Sequence, residues 1–95
     1  MNNAPVSVVI PVRNAESGIA DVLRSVFEQQ VDAPLDVVVV DDGSTDGTVA
    51  QANKFPCRVV SVAAANGSPA RARNLGAREA QGDPIVFLDA DCIAQ

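Results

Sequence analysis

The sequence predicts an α/β protein built on a doubly wound, mostly parallel sheet, and three observations carry that expectation. Four apolar runs of strand length occur at Val6 to Val12 (VSVVIPV), Leu35 to Val40 (LDVVVV), Arg58 to Val62 (RVVSV) and Pro84 to Leu88 (PIVFL). They are mostly unbroken rather than alternating in polarity, as strands covered on both faces are. Between them lie three segments with a helical rhythm. The order β-α-β-α-β-α-β, with short strands and a crossover helix between each successive pair, is that of a parallel sheet with right-handed connections.

Each element has its own signal. After the first strand, Ile19, Val22, Leu23, Val26 and Phe27 fall at helical spacing within Glu16 to Gln30, with Asn14 or Ser17 available as a cap. The second strand holds four consecutive valines before Asp41. A shorter helix is expected after Ser44 or Thr45, running through Val49 and Ala52 and stopping before Pro56. A third opens at Ser68-Pro69, a cap residue and the proline favoured in a first turn. It ends before Gly82, which suits a left-handed C-terminal position. The last strand runs into DAD, residues 89 to 91.

Composition sets the bounds. A chain of 95 residues makes at most one small domain, and 47% hydrophobic with 20% charged residues is the balance of a globular chain, not a disordered one. A net charge of -5 argues against nucleic-acid binding, which depends on cationic side chains neutralising phosphates. An acidic chain still binds a phosphorylated ligand when a divalent cation sits between them. Cys57 and Cys92 have neither the number nor the spacing of a disulfide framework or zinc site, and are expected to be small buried thiols. The N-terminus has no leader pattern and no run reaches membrane-spanning length, so the expected setting is cytoplasmic. No internal repeat, low-complexity tract or linker is present.

The topology gives the motifs one address, since ligands of open α/β sheets sit beyond the carboxyl ends of the strands. The four segments there are PVRN (11 to 14), DDGSTDGT (41 to 48), AAANGSPARARN (63 to 74) and DAD. In an extended chain Asp89 and Asp91 point to one side, and two convergent carboxylates are hard oxygen ligands for Mg²⁺ or Mn²⁺ that leave coordination sites for phosphate. Asp41 and Asp42 emerge where a buried strand ends. Two adjacent like charges repel and a turn needs only one of them, so a ligand would give the pair a purpose, with a turn-and-cap element as the alternative; that element is the reading for Ser44, Thr45, Asp46 and Gly47. A carboxylate there accepts hydrogen bonds from a nucleobase N–H or a ribose hydroxyl. Asn66-Gly67 makes a turn, and the free N–H groups of the helix that follows suit phosphate. Arg71 and Arg73 lie roughly 200° apart around a helix and do not both face one ligand.

The succession SVVIPVRN, VVVVDDGSTDGT, NGSPARARNLGAREAQGD and IVFLDAD resembles the N-terminal, nucleotide-sugar-binding half of the family 2 glycosyltransferases, inverting enzymes of the Rossmann-like GT-A fold. The resemblance runs from Val6 to Asp91. It implies that Pro11, Val12, Arg13 and Asn14 line a nucleobase pocket, with Asp42 or Asp41 accepting from the base. It implies that Asn66, Gly67 and Arg73 lie along the ribose and diphosphate. Asp89 would meet ribose or sugar, and Asp91 would hold the Mn²⁺ or Mg²⁺ that bridges the diphosphate. The implied partner is a nucleoside-diphosphate sugar, a UDP-sugar first, with guanosine and thymidine donors also open.

Three departures from the family pattern stand out. Arg13 occupies a usually aromatic position, replacing stacking with a cation–π contact or losing it. Cys92 follows DAD where a further acidic residue is frequent. The general base and acceptor-binding elements of the family lie beyond the metal motif, so residues 1–95 are expected to be a donor-site fragment, inactive in transfer by itself and prone to form homo-oligomers through exposed edges. A non-catalytic nucleotide-binding or assembly module is the alternative. A phospho-accepting signalling domain would place its acidic pair after the first strand and a lysine late in the chain, whereas Lys54 is the only lysine. A phosphatase using D-x-D would carry it after an early strand with threonine following.

Overall fold

The computed structural model describes residues 5–29, 34–62, 69–82 and 84–88. Seven elements follow the expected order: β1 (Val6–Val12), α1 (Ile19–Phe27), β2 (Leu35–Asp41), α2 (Thr48–Ala52), β3 (Arg58–Ser61), α3 (Pro69–Glu79) and β4 (Ile85–Phe87). All strand pairs are parallel, in the order β3-β2-β1-β4. The chain steps outward from β1 to β3 and then crosses back to place β4 on the free side of β1.

The valine runs form the centre because each of their faces has a cover. Val8, Ile10 and Val12 of β1 and Val37 and Val39 of β2 pack with Ile19, Val22, Leu23 and Val26 of α1 and Ala52 of α2. Val9, Val38 and Val40 point the other way and pack with Ala72 of α3. The in-register pairing of Val8 with Val37 and Val9 with Val38 keeps like faces together, since side chains alternate along a strand. Phe27 at the end of α1 stacks on Phe55 after α2, with centroids 6.2 Å apart, tying the two helices of that face together.

Several boundaries differ from the sequence expectation for identifiable reasons. The first helix begins at Ile19, not Glu16, because Gly18 and Ile19 both donate to the carbonyl of Ala15 in a preceding turn. Its N-cap is Gly18, without a side-chain cap bond, so neither Asn14 nor Ser17 serves there. The second helix is likewise capped by Gly47, not Ser44 or Thr45. Gly82 is not left-handed, since Gly43 is the positive-φ glycine among the described residues. Gly82 is required instead by close approach: a Cβ there would lie 2.1 Å from the carbonyl oxygen of Pro5. The expectation of two covered faces fails at β4, an edge strand whose Val86 and Phe87 are 44% and 46% exposed. Cys57 is half-buried rather than fully buried; burial pushes its thiol up, and its Sγ–H donates to the carbonyl of Ala52 at 3.3 Å. Cys92 lies outside the described residues.

A polar cluster closes the amino ends of the strands, opposite the expected site. Asp36 Oδ2 accepts from the Ser7 hydroxyl at 2.8 Å and from the Gln81 N–H at 2.8 Å. Arg58 Nη2 donates to Asp36 Oδ1 at 3.1 Å and to the carbonyl of Glu79 at 2.6 Å. The Ser7 hydroxyl in turn accepts from the Gly82 N–H at 2.8 Å. The C-terminal end of α3 is thereby fastened to three strands at once. Among the described residues, no helix is long and apolar enough to cross a membrane.

Candidate functional site

The carboxyl edge is built first by β1 and β2. Pairing runs to Val12 and Asp41, and the Asp42 N–H donates to the carbonyl of Val12 at 2.9 Å. Asp41 is thus still within the strand, paired to Ser61 on its other side, and Asp42 is the first residue beyond it. Arg13 and Asn14 leave β1 beside this point, both exposed.

The two adjacent aspartates are both buried, at 7% and 6% exposure, yet their surroundings differ. Asp41 Oδ1 accepts from the Ser44 N–H at 3.2 Å, closing the turn that Gly43 permits with a φ of 80°. Asp42 Oδ1 is buried and has no hydrogen-bond partner among the described residues. Buried polar atoms without a partner are rare in folded proteins, and a carboxylate oxygen left this way carries the desolvation cost of a charged group. The first aspartate is explained by the turn. The second has an acceptor in want of a donor.

The loops after β1 and β2 are clasped together. Asn14 takes a φ of 52°; its backbone N–H donates to the Ser44 hydroxyl at 2.9 Å, and its Oδ1 accepts from the Thr45 N–H at 2.8 Å and the Thr45 hydroxyl at 3.4 Å. A second set of bonds lies one step further on. The Ala15 N–H donates to the Thr48 hydroxyl at 2.8 Å, the Glu16 N–H to Asp46 Oδ2 at 3.2 Å, and the Gly47 N–H to Glu16 Oε1 at 3.1 Å. The Thr48 hydroxyl donates to Asp46 Oδ1. That bond, with the N–H groups of Thr48 and Glu16, holds the Asp46 carboxyl below the usual carboxylate range. Ser44 and Thr45, expected to lead into the second helix, are instead spent on Asn14. Partners some 30 residues apart leave no local signal, apart from an asparagine being one of the few residues at ease with positive φ.

Pro11, Val12, Arg13 and Asn14 are thus brought together with Asp41 and Asp42. Arg73 is exposed on α3, the helix over the other face of the sheet, where Ala72 packs on the β1 and β2 valines. Asn66, Gly67, Asp89 and Asp91 lie outside the described residues. The last strand lies beside β1, with the Leu88 N–H donating to the carbonyl of Val9 at 2.9 Å, and Asp89 is the next residue in sequence. Among the described residues, no group of three acidic, histidine or cysteine side chains is placed to hold a metal.

Comparison with known proteins gives this edge a family. The Glycosyl transferase family 2 pattern matches residues 7–95, and the chain belongs to that family. It is 38% identical over 94 residues to 4,4'-diaponeurosporenoate glycosyltransferase of Staphylococcus aureus, covering 95% of this chain and 24% of the relative. Among solved structures, S. aureus TarS 1-349 in complex with UDP-GlcNAc superposes with a TM-score of 0.82 at 34% identity, over 92% of this chain and 26% of that one. The mannosyltransferase PcManGT from Pyrobaculum calidifontis, in complex with GDP-Man and Mn²⁺, superposes with a TM-score of 0.81 at 33% identity, over 97% and 29%. These neighbours are GT-A fold enzymes, and the four-stranded sheet described above is the Rossmann-like element they share with it. The chain spans between 16% and 38% of the length of curated relatives it matches.

Proposed function

We propose that this chain forms the donor site of an inverting glycosyltransferase that takes its sugar from a nucleoside diphosphate, a UDP-sugar first, in the cytoplasm. The observation that carries the reading is the buried Oδ1 of Asp42 at the carboxyl edge of the sheet, without a partner among the described residues. A nucleobase N–H is a donor that such an oxygen lacks, and Asp41, spent on its turn, is the weaker choice for the role. Pro11, Val12 and Arg13 form the adjoining wall, the Arg13 guanidinium being available for a cation–π contact with the base. The complexes of related enzymes with UDP-GlcNAc and GDP-Man support the ligand class.

The remaining contacts follow from position in the family pattern. Asn66, Gly67 and Arg73 are assigned to ribose and diphosphate, Asp89 to ribose or sugar, and Asp91, with Asp89, to Mn²⁺ or Mg²⁺. The donor set fits such a cation: paired carboxylates are hard oxygen ligands, and the chain contains no histidine to favour a softer metal. When bound, the cation supplies charge stabilisation on the departing diphosphate. An acceptor hydroxyl would attack the anomeric carbon from the face opposite that diphosphate, the new glycosidic bond forming as the bond to the diphosphate breaks and the hydroxyl proton passing to a general base that is not among the residues assigned above. Association through the exposed edge of β4 into homo-oligomers is part of the same proposal.

Calorimetric titration of UDP, GDP and dTDP, with and without Mn²⁺, into the chain and into Asp42→Asn and Asp91→Asn tests the reading. Expected is metal-dependent binding with one preferred base, lost without Asp91 and stripped of its preference without Asp42. A folded chain that binds none of the three would overturn it.

A further inference from the structure

We infer that Asn14 is the positioning residue of this pocket: it fixes the turn that carries Asp42, and through it the choice of base, without touching the nucleotide. This inference rests on the donor-site reading and deepens it. Both lone pairs of Asn14 Oδ1 are engaged, by the N–H and the hydroxyl of Thr45, so the side-chain carbonyl is spent as an acceptor. The backbone N–H is spent on the Ser44 hydroxyl. Three hydrogen bonds from two groups of one residue thus hold the two positions that follow the Asp41-Asp42-Gly43 turn.

The bonds enclose Asp42 from both sides. Its own N–H is held by Val12 of β1. Beyond Gly43, Ser44 is held back to Asp41 Oδ1 while Asn14 holds Ser44 and Thr45 across the gap between loops. A buried carboxylate with an orphan oxygen next to a second carboxylate gains by swinging into water, where solvation replaces the missing donor and the like charges separate. The fastening at Asn14 opposes that relaxation. It keeps the acceptor in place before any ligand arrives, and preorganisation of this kind raises affinity by removing an ordering cost at binding. The left-handed backbone at Asn14 is the conformation that lets one residue present its N–H and its side-chain carbonyl to the same neighbouring loop.

The second set of bonds, from Ala15, Glu16 and Gly47 to Thr48, Asp46 and Glu16, is independent of the Asn14 side chain, so the loops stay joined when that side chain is removed. Asn14→Gly is the informative variant, since glycine keeps the positive φ and the backbone N–H bond to Ser44 while the side-chain carboxamide, with its bonds to Thr45, is lost. Amide exchange by NMR on the free chain is expected to show the Thr45 N–H losing protection. Titration of UDP, GDP and dTDP with Mn²⁺ is expected to show the preferred nucleotide weakened on the order of tenfold, with the three affinities drawn together. Combined with Asp42→Asn, the variant adds no further loss, because two residues acting through one contact are not additive.

A lowered melting temperature with the base preference intact would make Asn14 merely structural and overturn the inference alone. Losses that add in the double variant would place Asn14 on the nucleotide itself, with the same consequence. No binding of any nucleotide by the unaltered chain would overturn the donor-site reading and this role with it.

Discussion

Gly76 of α3 lies so close to Val9 of β1 that a Cβ built on it would stand 2.2 Å from Val9 Cγ1 and 3.0 Å from Val40 Cγ2. Both valines are completely buried and belong to adjacent central strands, so neither side chain has room to turn away. In an exposed helix Gly→Ala stabilises by about 1 kcal/mol; here overpacking, typically about 1–3 kcal/mol, opposes it and wins because the clash is with β-branched core residues. Gly76→Ala is expected to lower stability by about 2 kcal/mol, seen as an earlier urea midpoint with an unchanged slope. A later midpoint would show that α3 shifts freely on the sheet.

The Asp36 cluster makes stability depend on acid. Burial of the carboxylate works against its ionisation, but the N–H of Gln81, the hydroxyl of Ser7 and the Arg58 guanidinium together outweigh burial and hold the group below the usual carboxylate value. A carboxyl with a lower pKa in the folded state contributes stability that is fully present above its unfolded value of about 3.9 and is lost as pH falls through the lower folded value. The chain is therefore expected to exceed Asp36→Asn in stability by about 1–3 kcal/mol at pH 7, with the gap closing below about pH 4. Urea unfolding at a series of pH values reads this directly; a gap that persists unchanged to pH 2.5 would remove charge from the explanation.

Asp42 trades stability for its acceptor. Its buried oxygen has no partner among the described residues and it sits beside a second carboxylate. Asp42→Ala is expected to raise stability by roughly 0.5–1 kcal/mol while removing the preference among nucleotide bases. The converse effect of Asp41→Ala, a loss of stability, follows from the Ser44 N–H that Asp41 satisfies. Thermal unfolding of the two variants side by side checks the contrast, and equal shifts in the same direction would refute it.

Phe87 and Val86 leave nearly half of each side chain in water on an edge strand, a combination that favours edge-to-edge association. Phe87→Lys is expected to reduce concentration-dependent association in sedimentation velocity, with little change in the unfolding midpoint because so much of the ring is already solvated. A monomer at all concentrations before the substitution would rule out the edge as a contact.

The fold was readable because the signals that specify it are local. Unbroken valine runs mark central strands, and the spacing of Ile19, Val22, Leu23 and Val26 marks the covering face of α1; both patterns survive in the structure. What misled was also local. A cap residue near a helix start suggests a cap, but Asn14, Ser44 and Thr45 spend their hydrogen bonds on one another across 30 residues. A glycine after a helix suggests left-handed backbone, but Gly82 answers to the nearby backbone of Pro5. Both faces of β4 looked covered in sequence because exposure is set by neighbours, and an edge strand lacks one.

By itself the sequence determined the parallel α/β order, the edge at which polar residues gather, and the family whose motif blocks occupy that edge, since each depends on residue type and short-range spacing. Only the tertiary structure separated Asp41 from Asp42. The two are chemically identical neighbours, and their difference arises from which one finds a donor: the turn at Ser44 satisfies the first, while the pairing of β1 with β2 and the clasp at Asn14 hold the second, buried, where no donor among the described residues reaches Oδ1. Such a distinction belongs to hydrogen bonds closed between distant segments, and it exists only once the sheet has brought them together.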